Sequence, residues 1–133
     1  MTRDKYLSDH NCYNRLMEEY EKYGSLIIAL DFDGTINDYH GEGLTFDKVI
    51  YLIKECNKLD FNVVIFSANP DTDGIIQRCK ELDIKICGVN KNMVPMFDKS
   101  GKIYYSILLD DRAGLSSAFI VLAEVVRTIK ENK

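Results

Sequence analysis

Aliphatic runs alternate with amphipathic segments along the whole chain. Four runs of Val, Ile, Leu and Phe are short enough to be strands that a sheet buries on both faces. They span Ser25–Asp31, Phe61–Phe66, Ile84–Val89 and Ile103–Leu109. Around them, apolar residues recur every three or four positions, which predicts helices over about Asp9–Tyr23, Thr45–Leu59, Asp71–Leu82 and Leu115–Lys130.

Polar and turn-forming residues mark several ends of these elements. Gly24 is expected to end the first helix, because glycine adopts the left-handed conformation that closes a helix. Thr45 and Asp71 are expected to cap the second and third helices with their side-chain oxygens. Pro95 predicts that residues 90–101 are irregular or weakly helical.

The alternation of strand and helix predicts the fold class. Strand–helix–strand units form right-handed crossovers, so the sequence predicts an α/β, three-layer Rossmann-like fold with a mostly parallel sheet. Residues 1–133 are expected to form one domain, with residues 1–24 as an N-terminal helical extension. A chain of this length buries enough apolar surface to fold without a disulfide or a structural zinc ion.

Composition and charge narrow the function classes. Hydrophobic residues make up 46% and charged residues 29%, which is a globular composition. The net charge of −4 argues against a broad nucleic-acid interface, but it leaves room for a small basic pocket that binds one phosphate. No apolar stretch is long enough to span a membrane, and no signal-peptide core follows the charged N-terminus, so a cytoplasmic location is expected.

The cysteines and histidines give no sign of a metal site. No cysteine belongs to a C-x-x-C pair, and all four lie in apolar-periodic segments, so we expect reduced thiols in the core at Cys12, Cys56, Cys79 and Cys87. His10 and His40 are isolated and are expected on the surface.

Two carboxylates stand where the first buried strand ends. Asp31 and Asp33 directly follow the run Leu26–Leu30. Burying charge is unfavourable unless the charge is paired or binds a metal, and ligands of open α/β sheets bind at the carboxyl ends of strands. We therefore expect this strand to present the two carboxylates at a functional edge.

Further polar residues are expected at the same edge, because the carboxyl ends of parallel strands lie side by side. The second strand is followed by Ser67 and Asn69, the third by Asn90, Lys91 and Asn92, and the fourth by Asp110, Asp111 and Arg112. Such an oxygen-rich set suits a hard cation, and Mg²⁺ in particular takes one or two carboxylates and keeps several waters. The cation would bring the acids together with an anionic substrate, most simply a phosphate.

The residue types at this edge suggest a division of roles. Asp31 could attack phosphorus and form an aspartyl-phosphate. Asp33 could act as general acid for the leaving alcohol and then as general base for water. Ser67 could hydrogen-bond a phosphoryl oxygen, and Lys91 could neutralise charge on the phosphate and on Asp31. Arg112 is expected to form an ion pair with the two aspartates that precede it.

In these motifs and their order, the chain resembles the haloacid dehalogenase superfamily of phosphohydrolases over about Ser25–Leu115. Residues 31–35, Asp-Phe-Asp-Gly-Thr, resemble its first motif in the phosphatase version, and Ser67 resembles its second. A lysine between the third and fourth strands would be its third motif. Asp110-Asp111, followed by Arg112, resembles its fourth in the double-Asp variant.

The resemblance implies roles for the same residues. Asp31 would be the nucleophile, and Asp33 would be the general acid–base and would lend its backbone carbonyl to Mg²⁺. Asp111 would be a further metal ligand, with Asp110 close by. Phosphate binding is predicted for three consecutive residues, Ser67, Ala68 and Asn69.

The lysine of the third motif has two candidates, Lys91 and Lys102. Topology favours Lys91, because it leaves the carboxyl end of the third strand. Lys102 directly precedes the predicted fourth strand and would lie at the opposite edge of the sheet. If that strand begins later, near Ser106, Lys102 could still reach the site.

The connections are too short for the cap domain that many members of the superfamily carry. Only 13 residues separate Val89 from Ile103, and one helix and one strand occupy most of the stretch between Thr35 and Ser67. The chain is therefore similar to small members without a cap. The loop that contains Tyr39 is one candidate lid.

The predicted function is a Mg²⁺-dependent phosphomonoester phosphatase with a small phosphorylated substrate, either a sugar phosphate or a nucleotide. A polynucleotide end is an alternative substrate, which the acidic balance disfavours. A non-catalytic phosphate- or metal-binding module on the same fold is the alternative function. Asp33 favours the enzyme, because a binding module needs no general acid.

Overall fold

The chain folds around a parallel sheet. The computed structural model describes residues 4–97, 99 and 101–133, and within them four parallel strands form one sheet in the order β3-β2-β1-β4. The strands are β1 (Ile27–Asp31), β2 (Asn62–Phe66), β3 (Gly88–Val89) and β4 (Ile107–Leu109). The helices are α1 (Asp9–Tyr23), α2 (Asp47–Lys58), α3 (Thr72–Glu81) and α4 (Leu115–Glu131), with 3₁₀ turns at Lys5–Leu7 and Pro95–Phe97.

This architecture confirms the predicted fold class. The helices flank an all-parallel sheet, as in a Rossmann-like three-layer fold. No separate cap domain interrupts these elements in the part of the chain that the structure describes. None of the helices formed by the described residues is both long and apolar enough to cross a membrane.

The main hydrophobic core lies between one face of the sheet and the helices. Side chains alternate along a strand, so Ile28 and Leu30 of β1 share this face with Val63 and Ile65 of β2. Each helix adds fully or almost fully buried side chains to the same cluster, among them Leu16, Ile53, Ile75 and Leu122.

The other face of the sheet is buried as well. Ala29 and Val64 are inaccessible to solvent but lie outside the main cluster. Near the carboxyl end of this face, the rings of Phe66 and Tyr105 pack edge to face at 5.7 Å. The segment that leads into β4 therefore passes across this side of the sheet.

The third strand is shorter than predicted. The sequence predicts it over Ile84–Val89, but the ladder with β2 is confined to Gly88–Val89, with Cys87 N–H donating to the Val63 carbonyl just before it. The side chain of Asn57 makes two hydrogen bonds to the backbone of Lys85, at 2.9 and 3.0 Å. These bonds occupy backbone groups that a longer strand would pair with β2.

The fourth strand is shorter for a similar reason. The sequence predicts Ile103–Leu109, whereas the observed strand is Ile107–Leu109. Ser106 N–H donates to the Ile27 carbonyl, but Ile27 N–H donates to the Ser106 hydroxyl instead of to a backbone carbonyl. The Ser106 hydroxyl oxygen thus interrupts the backbone hydrogen bonds between β1 and β4 in a region that was predicted to belong to the strand.

The predicted helix ends are right in two cases and wrong in one. Gly24 ends α1 with a φ of +75°, and the Asp71 carboxylate accepts a hydrogen bond from Gly74 N–H at the start of α3. Thr45 does not cap α2, because the residue before the helix is Phe46, in a left-handed conformation. The Thr45 hydroxyl donates instead to the Asp47 carboxylate.

The four cysteines are free, but they do not all lie in the core. Cys56 and Cys79 are buried, and burial raises the pKa of their thiols to about 12 and about 11. Cys12 is half-buried, and the core prediction is wrong for Cys87, which is exposed because it precedes the short β3. His10 and His40 are exposed, as predicted.

A core substitution tests this packing. Leu122→Ala removes a side chain of α4 that is 0% exposed, so we expect the free energy of unfolding to fall by about 2–5 kcal/mol in urea denaturation. Ile120→Ala on the same helix is the control, because Ile120 is 50% exposed and should cost much less. If the two variants lowered the free energy of unfolding equally, the assignment of Leu122 to the core would be wrong.

Candidate functional site

Strand register brings three aspartates together at the carboxyl edge of the sheet. Leu30 of β1 pairs with Leu109 of β4, so the residues that follow them, Asp31 and Asp110, come out side by side. One carboxylate oxygen from each of Asp31, Asp110 and Asp111 lies within 4.8 Å of the other two. Asp31 and Asp110 are half-buried and Asp111 is exposed. These residues form the acidic cluster.

The hydroxyl of Thr35 connects two members of the acidic cluster. Its oxygen lies 3.0 Å from an Asp31 carboxylate oxygen and 3.2 Å from an Asp111 carboxylate oxygen, and it accepts a hydrogen bond from Asp111 N–H at 3.0 Å. Because a hydroxyl carries one proton, it can donate to only one of the two carboxylates at a time. Thr35 is fully buried, which holds this connection in a fixed place.

Gly34 allows the chain to turn between these groups. Its φ is +83°, a conformation that favours glycine, and a Cβ there would lie 2.9 Å from an Asp111 carboxylate oxygen. A larger residue would therefore strain the backbone and displace Asp111. The positive φ and the nearby Asp111 carboxylate together favour glycine at this position of the Asp-Phe-Asp-Gly-Thr sequence.

Burial and neighbouring negative charge disfavour ionisation of Asp31. Partial burial, a hydrogen bond to Asp111 and the charge of Asp110 raise its pKa to about 6, against a lowering effect from Thr35. A carboxylate with such a pKa is ionised near neutral pH at a cost in stability. A bound cation would remove that cost, because it would offset the repulsion among the three carboxylates.

The acidic cluster therefore fits a hard cation. The donor set consists of carboxylate oxygens from three residues close enough to share one ion. Burial and the neighbouring aspartates raise the pKa of Asp31, and a bound cation would act against that effect. Asp31, Asp110 and Asp111 are accordingly the residues that could hold a divalent cation.

The carboxylate of Asp33 lies next to the acidic cluster without belonging to it. Its oxygens accept hydrogen bonds from two side-chain amides, Asn37 at 2.9 Å and Asn69 at 3.4 Å. These amides orient the carboxylate from both sides. If Asp33 contributes to a metal site as predicted, its backbone carbonyl rather than its carboxylate would have to do so.

A compact turn follows β2 beside Asp33. The hydroxyl of Ser67 accepts a hydrogen bond from Asn69 N–H at 3.0 Å, so its own proton can be donated elsewhere. Ser67, Ala68 and Asn69 line the same cavity, of about 290 Å³, as Asp31, Asp33, Asp110, Asp111 and Arg112. The predicted phosphate-binding and metal-binding residues are thus brought together in one place.

Asn90 holds this turn in position. Its side-chain oxygen accepts from Ser67 N–H at 3.0 Å, and its side-chain nitrogen donates to the Ser67 carbonyl at 2.8 Å. Asn90 has a φ of +52°, a left-handed conformation that asparagine tolerates better than most residues. Through these hydrogen bonds, Asn90 connects the carboxyl end of β3 to the carboxyl end of β2.

The two candidate lysines lie outside this cavity. Lys91 is exposed, and its aliphatic chain lies over Gly88 of β3. Lys102 is exposed and lines a separate cavity with Arg15 and Tyr104. The late start of β4 is the condition under which Lys102 was expected to approach the site, so the choice between the lysines stays a prediction.

The predicted ion pair of Arg112 is wrong for the described residues. The guanidinium of Arg112 makes no ion pair with Asp110 or Asp111, although it lies on the cavity. Its backbone N–H donates to the Asp110 carboxylate at 2.9 Å. Arg112 therefore lines the cavity together with the two aspartates without pairing with either carboxylate.

Sequence reasoning missed Asn37, and it placed Asn90 at this edge without assigning it a role. The role of Asn37 in orienting Asp33 and that of Asn90 in holding Ser67 were not predicted. Asparagine in a loop after a strand is a weak signal, because the same residue is common in turns that have no other function. Only the contacts distinguish these two from ordinary turn residues.

The acidic cluster predicts a pH-dependent effect of Asp31 on stability. Because its folded pKa of about 6 lies above the ordinary value of 3.8, its favourable contribution is present below about pH 4 and is lost as the pH rises through about 6. We expect metal-free Asp31→Asn to have the same melting temperature as the unmodified protein near pH 4 and a higher one at pH 7.5. Addition of Mg²⁺ at pH 7.5 should raise the melting temperature of the unmodified protein more than that of the variant.

The control for this prediction is Asp60→Asn. Asp60 is exposed and precedes β2, at the opposite edge of the sheet. This variant should follow the unmodified protein at every pH and in its response to Mg²⁺. Identical Mg²⁺ responses of Asp31→Asn and the unmodified protein would contradict the assignment of Asp31 as a cation ligand.

The comparisons with known proteins support the fold. No family model matches the chain, and no curated protein matches it. The structure is similar to that of a conserved protein from Bacteroides thetaiotaomicron, with a TM-score of 0.60 and 23% sequence identity. The match covers 82% of this chain and 93% of that one. At this level of identity the likeness shows an α/β parallel-sheet fold in common.

Proposed function

We propose that this protein is a Mg²⁺-dependent phosphomonoester phosphatase of the haloacid dehalogenase type, which acts through an aspartyl-phosphate. The observation that carries the proposal is the arrangement of the acidic cluster, Asp33 and the turn at residues 67–69 around one cavity. The order of the motifs along the chain, which resembles that superfamily, supports the same conclusion.

In the first step, a carboxylate oxygen of Asp31 attacks the phosphorus atom of the ester. A bond forms between Asp31 and phosphorus while the bond from phosphorus to the ester oxygen breaks. Asp33 gives a proton to the departing oxygen, so the product alcohol leaves uncharged. The amides of Asn37 and Asn69 keep the Asp33 carboxyl directed into the cavity during this transfer.

In the second step, Asp33 takes a proton from a water molecule. The resulting hydroxide attacks phosphorus, the bond to Asp31 breaks, and inorganic phosphate leaves with the Asp31 carboxylate restored. Ser67 donates its hydroxyl proton to a phosphoryl oxygen in both steps, and the backbone N–H of Ala68 binds another. Asn90 positions this turn, because it occupies both backbone groups of Ser67.

The cation would be held by Asp31, Asp110, Asp111 and the backbone carbonyl of Asp33. When bound, it supplies positive charge that neutralises the carboxylates and a phosphoryl oxygen. The Thr35 hydroxyl contacts both carboxylates and so keeps Asp31 and Asp111 close enough to bind the same cation.

Hydrolysis of 4-nitrophenyl phosphate with and without Mg²⁺ tests the proposal. We expect turnover that requires Mg²⁺ and that disappears in Asp31→Asn, because the amide cannot form the phosphoenzyme. Asp33→Asn should lower the rate about 100- to 10,000-fold and let the phosphorylated protein accumulate, since the base for its hydrolysis is missing. Asp60→Asn is the matched control and should keep full activity.

Two outcomes would overturn this assignment. Activity that survives Asp31→Asn would exclude it as the nucleophile. Phosphate binding by calorimetry, with no turnover of any phosphate ester, would instead identify a binding module.

A second pair of variants decides the lysine. Lys91 follows Asn90, which is bonded to the phosphate-binding turn, so we expect Lys91→Ala to lower kcat/KM about 100-fold and Lys102→Ala to leave it nearly unchanged. Lys91→Arg should restore part of the loss, because it restores the charge. The reverse pattern would assign the role to Lys102.

A further inference from the structure

The loop between β1 and α2 is held in one conformation by Asp38. The Asp38 carboxylate accepts hydrogen bonds from three backbone N–H groups, those of Glu42, Gly43 and Leu44, at 3.0, 2.7 and 3.2 Å. These bonds, led by that from Glu42, lower the pKa of Asp38, so the carboxylate stays charged and the contacts persist at neutral pH. The carboxylate thus cross-links a loop that buries little apolar surface.

This loop presents an aromatic ring to solvent. Tyr39 is 65% exposed, and its ring lies 5.1 Å from that of His40, with the two ring planes at 75°. In such an edge-to-face pair, the contact covers at most one face of the tyrosine ring. At least one face of Tyr39 is therefore uncovered by His40 and can stack on another planar group.

The loop begins beside Asp33. Tyr39 N–H donates to the Asn37 carbonyl at 2.9 Å, and the side chain of Asn37 donates to Asp33. Two peptide units place the Cα atom of Tyr39 at most about 7.6 Å from that of Asn37. If Asp33 protonates the leaving oxygen, the leaving group must lie next to Asp33 and thus on the side of the cavity from which this loop emerges.

We propose that Tyr39 is a specificity-determining residue that stacks on a heteroaromatic ring of the leaving group, and that the substrates are nucleoside monophosphates. The inference rests on the proposed phosphatase function and adds the substrate class. A nucleoside fits because it carries a planar base on the leaving-group side of the phosphate, the side on which the loop with Tyr39 begins beside Asp33. A rigid tyrosine also provides stacking at little cost in conformational entropy.

The test compares substrates with and without a planar ring. In the presence of Mg²⁺, kcat/KM is measured for nucleoside monophosphates, glucose 6-phosphate and glycerol phosphate. We expect Tyr39→Ala to lower kcat/KM for the nucleotides about tenfold, mainly through KM, and to leave the values for the other two unchanged. Tyr39→Phe should retain the unmodified values, because it keeps the ring.

Tyr51→Ala is the matched control. Tyr51 is a comparably exposed tyrosine, at 63%, and lies on α2 in a cavity between α2 and α4. Its replacement should affect none of the substrates. Equal losses for nucleotides, glucose 6-phosphate and glycerol phosphate in Tyr39→Ala would overturn the inference, as would a loss in Tyr39→Phe as large as that in Tyr39→Ala.

A binding measurement separates this inference from the proposed function. If the unmodified protein hydrolyses none of the esters, the phosphatase proposal fails, and calorimetry with Mg²⁺ then compares a nucleoside monophosphate with inorganic phosphate. Weaker nucleotide binding by Tyr39→Ala, with phosphate binding unchanged, would uphold the stacking role. Unchanged nucleotide binding, or none by the unmodified protein, would exclude it.

Discussion

One buried hydroxyl joins the two ends of the acidic cluster. Thr35 follows β1 and Asp111 follows β4, 76 positions further along the chain. The hydroxyl contacts both the carboxylate and the backbone N–H of Asp111 while it also contacts Asp31. The geometry of the site therefore depends on the parallel pairing of β1 with β4, which alone brings these groups within hydrogen-bond distance.

This arrangement keeps like charges close together, which opposes folding. Burial and the two neighbouring aspartates raise the pKa of Asp31, as expected for carboxylates held this close together. A fold selected for stability alone would separate the three carboxylates. Their proximity is thus the physical argument for a cationic ligand, and it does not depend on any likeness to another protein.

The polar groups next to the acidic cluster have hydrogen-bond partners in the folded chain. Asp33 accepts hydrogen bonds from two amides, and both backbone groups of Ser67 are bonded to Asn90. These side chains are therefore oriented before any ligand binds. The acidic cluster could bind a cation, and the polar side chains beside it are already oriented. Such a site is suited to an anionic ligand that binds together with the cation.

The strength of the sequence signal differed between elements. The four helices were predicted within two residues at almost every end, because each buries one face and its apolar residues recur with the period of a helix. Both errors in strand length arose from side chains that replace backbone partners, Asn57 at Lys85 and Ser106 at Ile27. Such contacts join residues far apart in sequence, so no local pattern reveals them.

The order of residues along the chain is enough to show that aspartates follow the first and fourth strands and that polar residues follow the second and third. A parallel sheet then sends all of them to one edge, because its carboxyl ends point the same way. Which side chains meet depends on the folded chain: the register of β1 with β4 and the left-handed turn at Gly34 bring Asp31, Asp110 and Asp111 together. The tertiary structure also leaves Lys91 and Lys102 outside the cavity, since the path of a loop depends on packing that the pattern of apolar residues does not encode.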